Sequence, residues 1–298
     1  MLMTVFLNLV PVTLVQSLVY AFVALAIMIP FRTLSLPDLT VEGSFPLGGC
    51  IAATLLVGMG VNPWVGTVLA VAAGVCAGIL TALIHLHLKV PSLLAGILVA
   101  TMIWSIDLRA MGAPNTAVPH DVSLYDAISA DILLNVWMQI ALFATVVVAV
   151  CVGLLAFYRS EPGLSLRCVG ANARLSPALG ISSRFYVMLG FGLANGLAAL
   201  GGALLVQHQG YADVTMGFGV LVNGLAALII GEAIVGRATI ARQLSAPVVG
   251  SLIYYQLVSL GLSTGLHPSD LKFLTGGFVL VTLALPLLTG RRRSELGI

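Results

Sequence analysis

Apolar runs long enough to cross the roughly 30 Å of a bilayer's hydrocarbon as a helix, about 20 residues each, recur along the whole chain with polar residues confined to the intervals between them. Nine crossings are read at about 5–30, 33–60, 65–84, 91–106, 133–157, 185–206, 215–235, 246–262 and 273–288. The second is irregular. Between Thr33 and Gly49 it holds Pro37, Pro46, Gly43, Gly48, Gly49, Asp38 and Glu42, so it is expected to be broken, with apolar helix resuming at Cys50. In the third, Gly74 and Gly78 have the GxxxG spacing that lets helices approach closely. Pro91 suits the first turn of the fourth.

The polar intervals set an expected orientation. Arg159 to Arg184 carries Arg159, Arg167, Arg174 and Arg184 against Glu161 alone, and an excess of Lys and Arg in a short loop marks the cytoplasmic side. Arg291 to Arg293 put the end of the chain on that side as well. Asp107 to Asp131, with four aspartates against Arg109, faces outward, and counting back from the last crossing leaves the N-terminus outside. Within the basic belt, Leu175 to Ile181 is either a brief helix along the membrane face that offers a docking surface or a plain solvated connector.

Composition excludes a water-soluble domain: 59% of the 298 residues are hydrophobic and 8% charged, with a mean hydropathy of +1.10, whereas soluble domains are about 25% charged. The fold expected is an all-α polytopic membrane protein of about nine transmembrane helices, one or two of them broken, and 1–298 is a single transmembrane domain. The first run lacks a basic n-region and is read as a retained span. Cys50, Cys76, Cys151 and Cys168 form no disulfide framework.

An internal match organises the crossings. At an offset of 175 residues Asp38, Thr40, Gly49 and Ala52 meet Asp213, Thr215, Gly224 and Ala227, and Leu18, Ala24 and Leu25 meet Leu193, Ala199 and Leu200. Five crossings separate the copies, so they are expected to be two inverted pseudo-repeats, about 5–158 and 185–289, flanking the segment 159–184. Such repeats place a solute path where the copies meet. Carboxylates cost about 2–3 kcal/mol or more in hydrocarbon and so face a bundle interior or water. Asp38, Thr40, Glu42, Asn195, Asp213, Thr215, Asn223 and Glu232 are therefore candidates for the translocation path, and each could instead be a cap between helices that touches no solute.

Other chemistry is missing. No GxxxxGK[ST] phosphate loop occurs, so any ATP must be bound by another chain. Gly261 to Gly265 fits a GxSxG pattern around Ser263 with His267 nearby, but the motif needs a strand-to-helix elbow and here ends a span. His120, His208 and His267 show no ligand spacing and are read as surface histidines, with no metal site and no catalytic residues.

Several stretches carry a resemblance over essentially the whole length: Pro37 to Ser44, Leu108 to Asn115, Arg167-Cys168-Val169-Gly170-Ala171-Asn172, Leu179-Gly180-Ile181, Asn195 to Leu200 and Ala226 to Glu232. The chain resembles the permease subunit of bacterial ABC importers in the broad branched-chain amino acid and ribose permease superfamily. Within it, the chain looks most similar to the group paired with lipoprotein-type binding proteins and described as uncharacterised or aromatic amino acid importers. Arg-x-x-Gly-x-Asn followed by Gly-Ile is similar to the superfamily's cytoplasmic coupling segment, which implies that Arg167, Gly170, Asn172, Arg174, Ala178, Gly180 and Ile181 meet the ATPase. The Asp-Leu-Thr-Val element is similar to its broken pathway helix. The resemblance further implies a bacterial inner-membrane protein paired with a second copy or a like permease, and no nucleic acid. One ATPase subunit under each protomer would hold ATP and Mg, and an extracytoplasmic binding protein would dock outside. The alternative left open is a self-sufficient ion-coupled secondary transporter. One departure is the short N-terminus, which lacks a leading span that some relatives have.

Overall fold

The computed structural model describes residues 2–128, 132, 135–263, 273, 276 and 277. Among these residues the chain is helical almost throughout, with eight helices long and apolar enough to cross a membrane: Leu9–Thr33, Thr40–Gly58, Pro63–Leu88, Ser92–Met111, Val136–Arg159, Ser183–Gln209, Val214–Val235 and Ile240–Gly261. Most of the ninth span expected from Phe273, together with Asp131, His267, Asp270 and Arg291 to Arg293, lies outside the described residues.

Helices α1 (Leu2–Met28), α2 (Thr40–Ala53), α3 (Pro63–Leu88), α4 (Ser92–Met111), α5 (Leu124–Ile128), α6 (Val136–Arg159), α7 (Glu161–Ala171), α8 (Ser183–Gln209), α9 (Val220–Val235) and α10 (Ile240–Ser263) follow in order. The α1 and α8 spans are each 78% buried and that of α6 only 17%. Apolarity alone does not set this layering, for the α6 span is the most apolar of the eight and the least buried; the small residues of α8 let it be approached from several sides. α6, rich in valine and leucine, presents Val148 and Val152 outward, as lipid-facing residues would be.

Glycines set the contacts at the centre. A side chain at Gly74 or Gly78 of α3 would run into the backbone of Asn195 or Phe191 on α8, so the GxxxG pair marks a close crossing. Gly48 of α2 lies against Ala199 of α8, and Gly224 of α9 lies against Ala24 of α1. Ala199 and Ala24 are themselves 175 residues apart, so each half packs its second helix on the first helix of the other half.

The broken stretch differs from expectation. α1 runs on through a π turn at Ile29–Thr33, Ser35 adopts a positive φ of 56°, and regular helix resumes at Thr40, ten residues before Cys50. Gly43, Gly48 and Gly49, which read as breakers, are instead points of close approach to Ala100 and α8. Pro46 leaves the carbonyl of Glu42 without its usual intrahelical partner, and Gly217 packs onto that carbonyl.

α4 also outlasts its expected end near Ile106. It continues to Met111 and stops at Gly112, which has a φ of 70° and donates its N–H to the Leu108 carbonyl. Two short strands were not anticipated: β1 (Asn115–Ala117) pairs antiparallel with β2 (Tyr211–Asp213), Asn115 opposite Asp213. The connection from α4 to α6 is held down further by Gln207, which accepts from Leu124 N and donates to Thr67, and by the Tyr125 hydroxyl, which donates to the Leu204 carbonyl. Burial pushes that phenol well above its ordinary pKa.

For Leu175 to Ile181 in the basic belt the sequence left open a brief helix or a plain solvated connector. The belt holds an 11-residue helix, α7, with Leu166 and Val169 buried, and only a 3-10 turn at Ser176–Leu179. Sequence reading missed α7 because its apolar stripe is short and interrupted by Arg167 and Gly170.

Candidate functional site

The eight candidate path residues fall into separate groups. Asp38, Thr40 and Asn195 form one fully buried network with Ser44 and Thr81. Asp38 Oδ1 accepts from Thr40 N at 2.8 Å and Oδ2 from Asn195 Nδ2 at 2.7 Å. Asn195 Oδ1 accepts from Ser44 at 2.7 Å, and the Thr40 and Thr81 hydroxyls are 2.7 Å apart. This network joins the start of α2 to the middle of α8 and to α3. It serves as a cap: Asp38 satisfies a backbone donor that the helix start leaves free.

The residues at an offset of 175 make a similar bond. Asp213 Oδ1 accepts from Thr215 N and from Thr215 Oγ1, each at 2.6 Å, and starts a 3-10 turn at Val214–Gly217. Here the carboxylate is half-exposed, and the turn ends at Gly219 (φ 84°) before α9 begins. Glu42 ties the two stretches together, its Oε1 accepting from Gly219 N at 2.7 Å. The N-terminal ends of α2 and α9 meet at this bond.

Asn223 and Glu232 lie elsewhere. Asn223 Oδ1 accepts from the Tyr254 hydroxyl at 2.8 Å, an interhelical bond between α9 and α10. Glu232 Oε2 pairs with Arg32 at 2.7 Å and with Arg237, at the end of the bundle where α1 and α9 finish. The carboxylate is buried and both arginines are partly exposed. Glu232→Gln is therefore expected to cost about 1 kcal/mol or less, because the released cations hydrate. Replacing Arg32 and Arg237 together by alanine strands a buried charge and should cost about 3 kcal/mol or more. Comparing the two thermal midpoints in detergent tests this order.

A cavity of about 440 Å³ opens between α2, α4 and the turn after β2. Of the eight candidates only Glu42 lines it, beside Ile97, Trp104, Asp107, Gly217 and Phe218. Asp107 had been assigned to the outer loop. It is fully buried near the end of α4, and among the described residues neither of its oxygens has a hydrogen-bond partner. The signal for it was available: no helix breaker stands between Ile106 and Gly112, and 97, 100, 101, 104 and 107 form a helical stripe.

The coupling candidates divide as well. Asn172, Arg174, Ala178 and Gly180 are exposed and Ile181 is half-buried, whereas Gly170 is pressed on the Thr33 carbonyl and Arg167 has a buried Nε. Asn172 builds the turn, its Oδ1 accepting from Arg174 N and Leu175 N at 3.1 Å. On that turn Leu175 and Leu179 are 57% and 63% exposed, an apolar pair bounded by Arg174.

His208 is not a plain surface histidine: it stands edge-on to Tyr125 and Phe143. Among the described residues no group of three metal-ligating side chains occurs. Ser263 ends α10 with its hydroxyl bonded to the Leu260 carbonyl, as a helix-end serine does.

Residues 11–284 match the family described as branched-chain amino acid transport system, permease component. The chain is 35% identical over 270 residues to the tyrosine transport system permease protein of Clostridioides difficile (strain R20291), covering 90% of this chain and 88% of the relative. It is 32% identical over 282 residues to the uncharacterized protein RP368 of Rickettsia prowazekii (strain Madrid E), covering 93% and 97%. No solved structure gives a significant match. With a family match spanning nearly its whole length and, among the described residues, eight helices long and apolar enough to cross a bilayer, the chain belongs to the branched-chain amino acid permease family and is a multi-pass transport permease.

Proposed function

We propose that this permease is the membrane subunit of an ATP-binding cassette importer in a bacterial inner membrane, carrying an aromatic amino acid of the tyrosine type. The observation that carries the coupling is the exposed turn from Asn172 to Gly180, where two leucines stand free of the bundle. Apolar side chains grouped on a projecting turn are a partner's footprint. The partner would be a separate ATPase that holds ATP and Mg, since this chain has no phosphate loop. The family match supports the transport class, and the relative in C. difficile supports the solute class.

In this reading the two halves enter the membrane in opposite senses, with Arg32, Arg237 and the belt inside and β1 and β2 outside. The solute passes near the Glu42–Gly219 junction, where the half-helices meet. A binding protein delivers it from outside, and two permease subunits pair to complete the path. Closure of the ATPases pushes the belt, and α7, seated on the π turn after α1 through Gly170 and Thr33, carries the push to the broken helices.

Leu179→Asp is expected to keep the thermal midpoint of the purified permease while reducing capture of the ATPase at least tenfold and abolishing ATP-driven uptake of labelled tyrosine. Undiminished capture would move the ATPase elsewhere. Solute movement by the permease alone, driven by an ion gradient in liposomes, would overturn the importer reading.

A further inference from the structure

Among the described residues, the membrane-spanning helices and the turn before α2 carry four carboxylates, Asp38, Glu42, Asp107 and Glu232, and three are in use. Asp38 caps α2 and bonds Asn195, Glu42 holds Gly219 N, and Glu232 is paired with two arginines. Asp107 is the remaining one, with no partner at either oxygen and no exposed surface. An unpartnered buried carboxyl group is costly, and this one stands in the wall of the cavity between α2 and α4.

The rest of that wall limits what could pair with it. Among the described residues no lysine, arginine or histidine lines the cavity, so an anion would find there two carboxylates, the Thr101 hydroxyl and a mostly apolar surface. Trp104, one helical turn before Asp107 on α4, and Phe218, on the turn after β2, line the cavity, and aromatic faces attract cations and take flat apolar bodies. The volume of about 440 Å³ lies within the roughly 300–1,000 Å³ of small-molecule pockets.

From this we propose that the cavity is a binding site for an amphipathic solute bearing a primary ammonium group, with Asp107 as its counter-ion and Trp104 and Phe218 against its apolar part. The proposal rests on the transport reading only in taking this cavity as a station on the solute path. It assigns the ammonium end of the solute, not its carboxylate, to the permease.

The test uses the purified full chain alone, in nanodiscs of phosphatidylglycerol. Binding is read both by thermal shift and by intrinsic fluorescence, which Trp104 shares with Trp64 and Trp137. Phenethylamine and L-phenylalanine should bind saturably in the millimolar range, and 3-phenylpropionate should not. Asp107→Asn should weaken phenethylamine at least tenfold, and Thr101→Phe, which fills the cavity from an exposed position, should block it if the first variant fails to fold. Equal binding by 3-phenylpropionate, undiminished binding by the variants, or displacement of the site's effect to calcium would overturn the proposal. So would stabilisation by phosphatidylethanolamine with no response to either soluble amine, which would give the site to a lipid head group. Because no ATPase is present, a failure here leaves ATPase capture and driven uptake as independent measures of the importer reading.

Discussion

Asn195→Leu is expected to destabilise the permease by about 3 kcal/mol or more, because it leaves both Asp38 Oδ2 and the Ser44 hydroxyl without their partner inside a fully buried network. Leucine approximates asparagine in size, so the loss would be electrostatic and not a cavity effect. The double variant Asp38→Leu/Asn195→Leu should recover part of the loss, since removing both members of a buried pair costs less than removing one. The measurement is the thermal midpoint in detergent with the amount of protein recovered from membranes. A single variant as stable as the double one would show that Asp38 finds another partner or is not charged.

Gly78→Leu should be at least as damaging. A side chain there meets the Phe191 carbonyl and the Asn195 amide, and backbone atoms cannot turn aside as a side chain can. Overpacking of this kind costs about 1–3 kcal/mol, occasionally more, and Gly78 adds the breaking of the Asn195 network. Gly153→Leu is the matching control, because a Cβ at Gly153 of α6 meets nothing within 4 Å. That variant should accumulate normally. Equal accumulation of the two leucine variants would mean that α3 and α8 do not cross as closely as described.

Much of the architecture was legible because hydrocarbon thickness is a strong constraint: a run of Val, Leu and Ala such as α6 can do little but span. The Gly74 and Gly78 spacing also pointed to a true crossing. Other glycines misled, for Gly43, Gly48 and Gly49 look like breakers in a single chain and become contact points only when Ala100 and α8 are beside them. The end of α4 was misplaced because a charge was taken as a boundary. Asp107 is held inside a helix that stops only at Gly112, where the backbone itself turns left-handed.

The candidate site was partly legible for a similar reason. Polar residues within spans are few enough to list from sequence, and Asp38, Glu42 and Asn195 all hold broken helices in place. Which polar residue is a cap and which faces open space depends on partners far along the chain, as with Glu232 and Arg32, 200 residues apart. Sequence spacing carries no record of that.

The exchange of helices between halves bears on how the protein is made. Asp38 leaves the ribosome 157 residues ahead of Asn195, and at roughly 5–20 residues per second it waits about 10–30 s for its partner. During that interval α2 lacks both the network and its packing on α8, so the nascent first half is expected to reach its native packing only when the sixth span arrives.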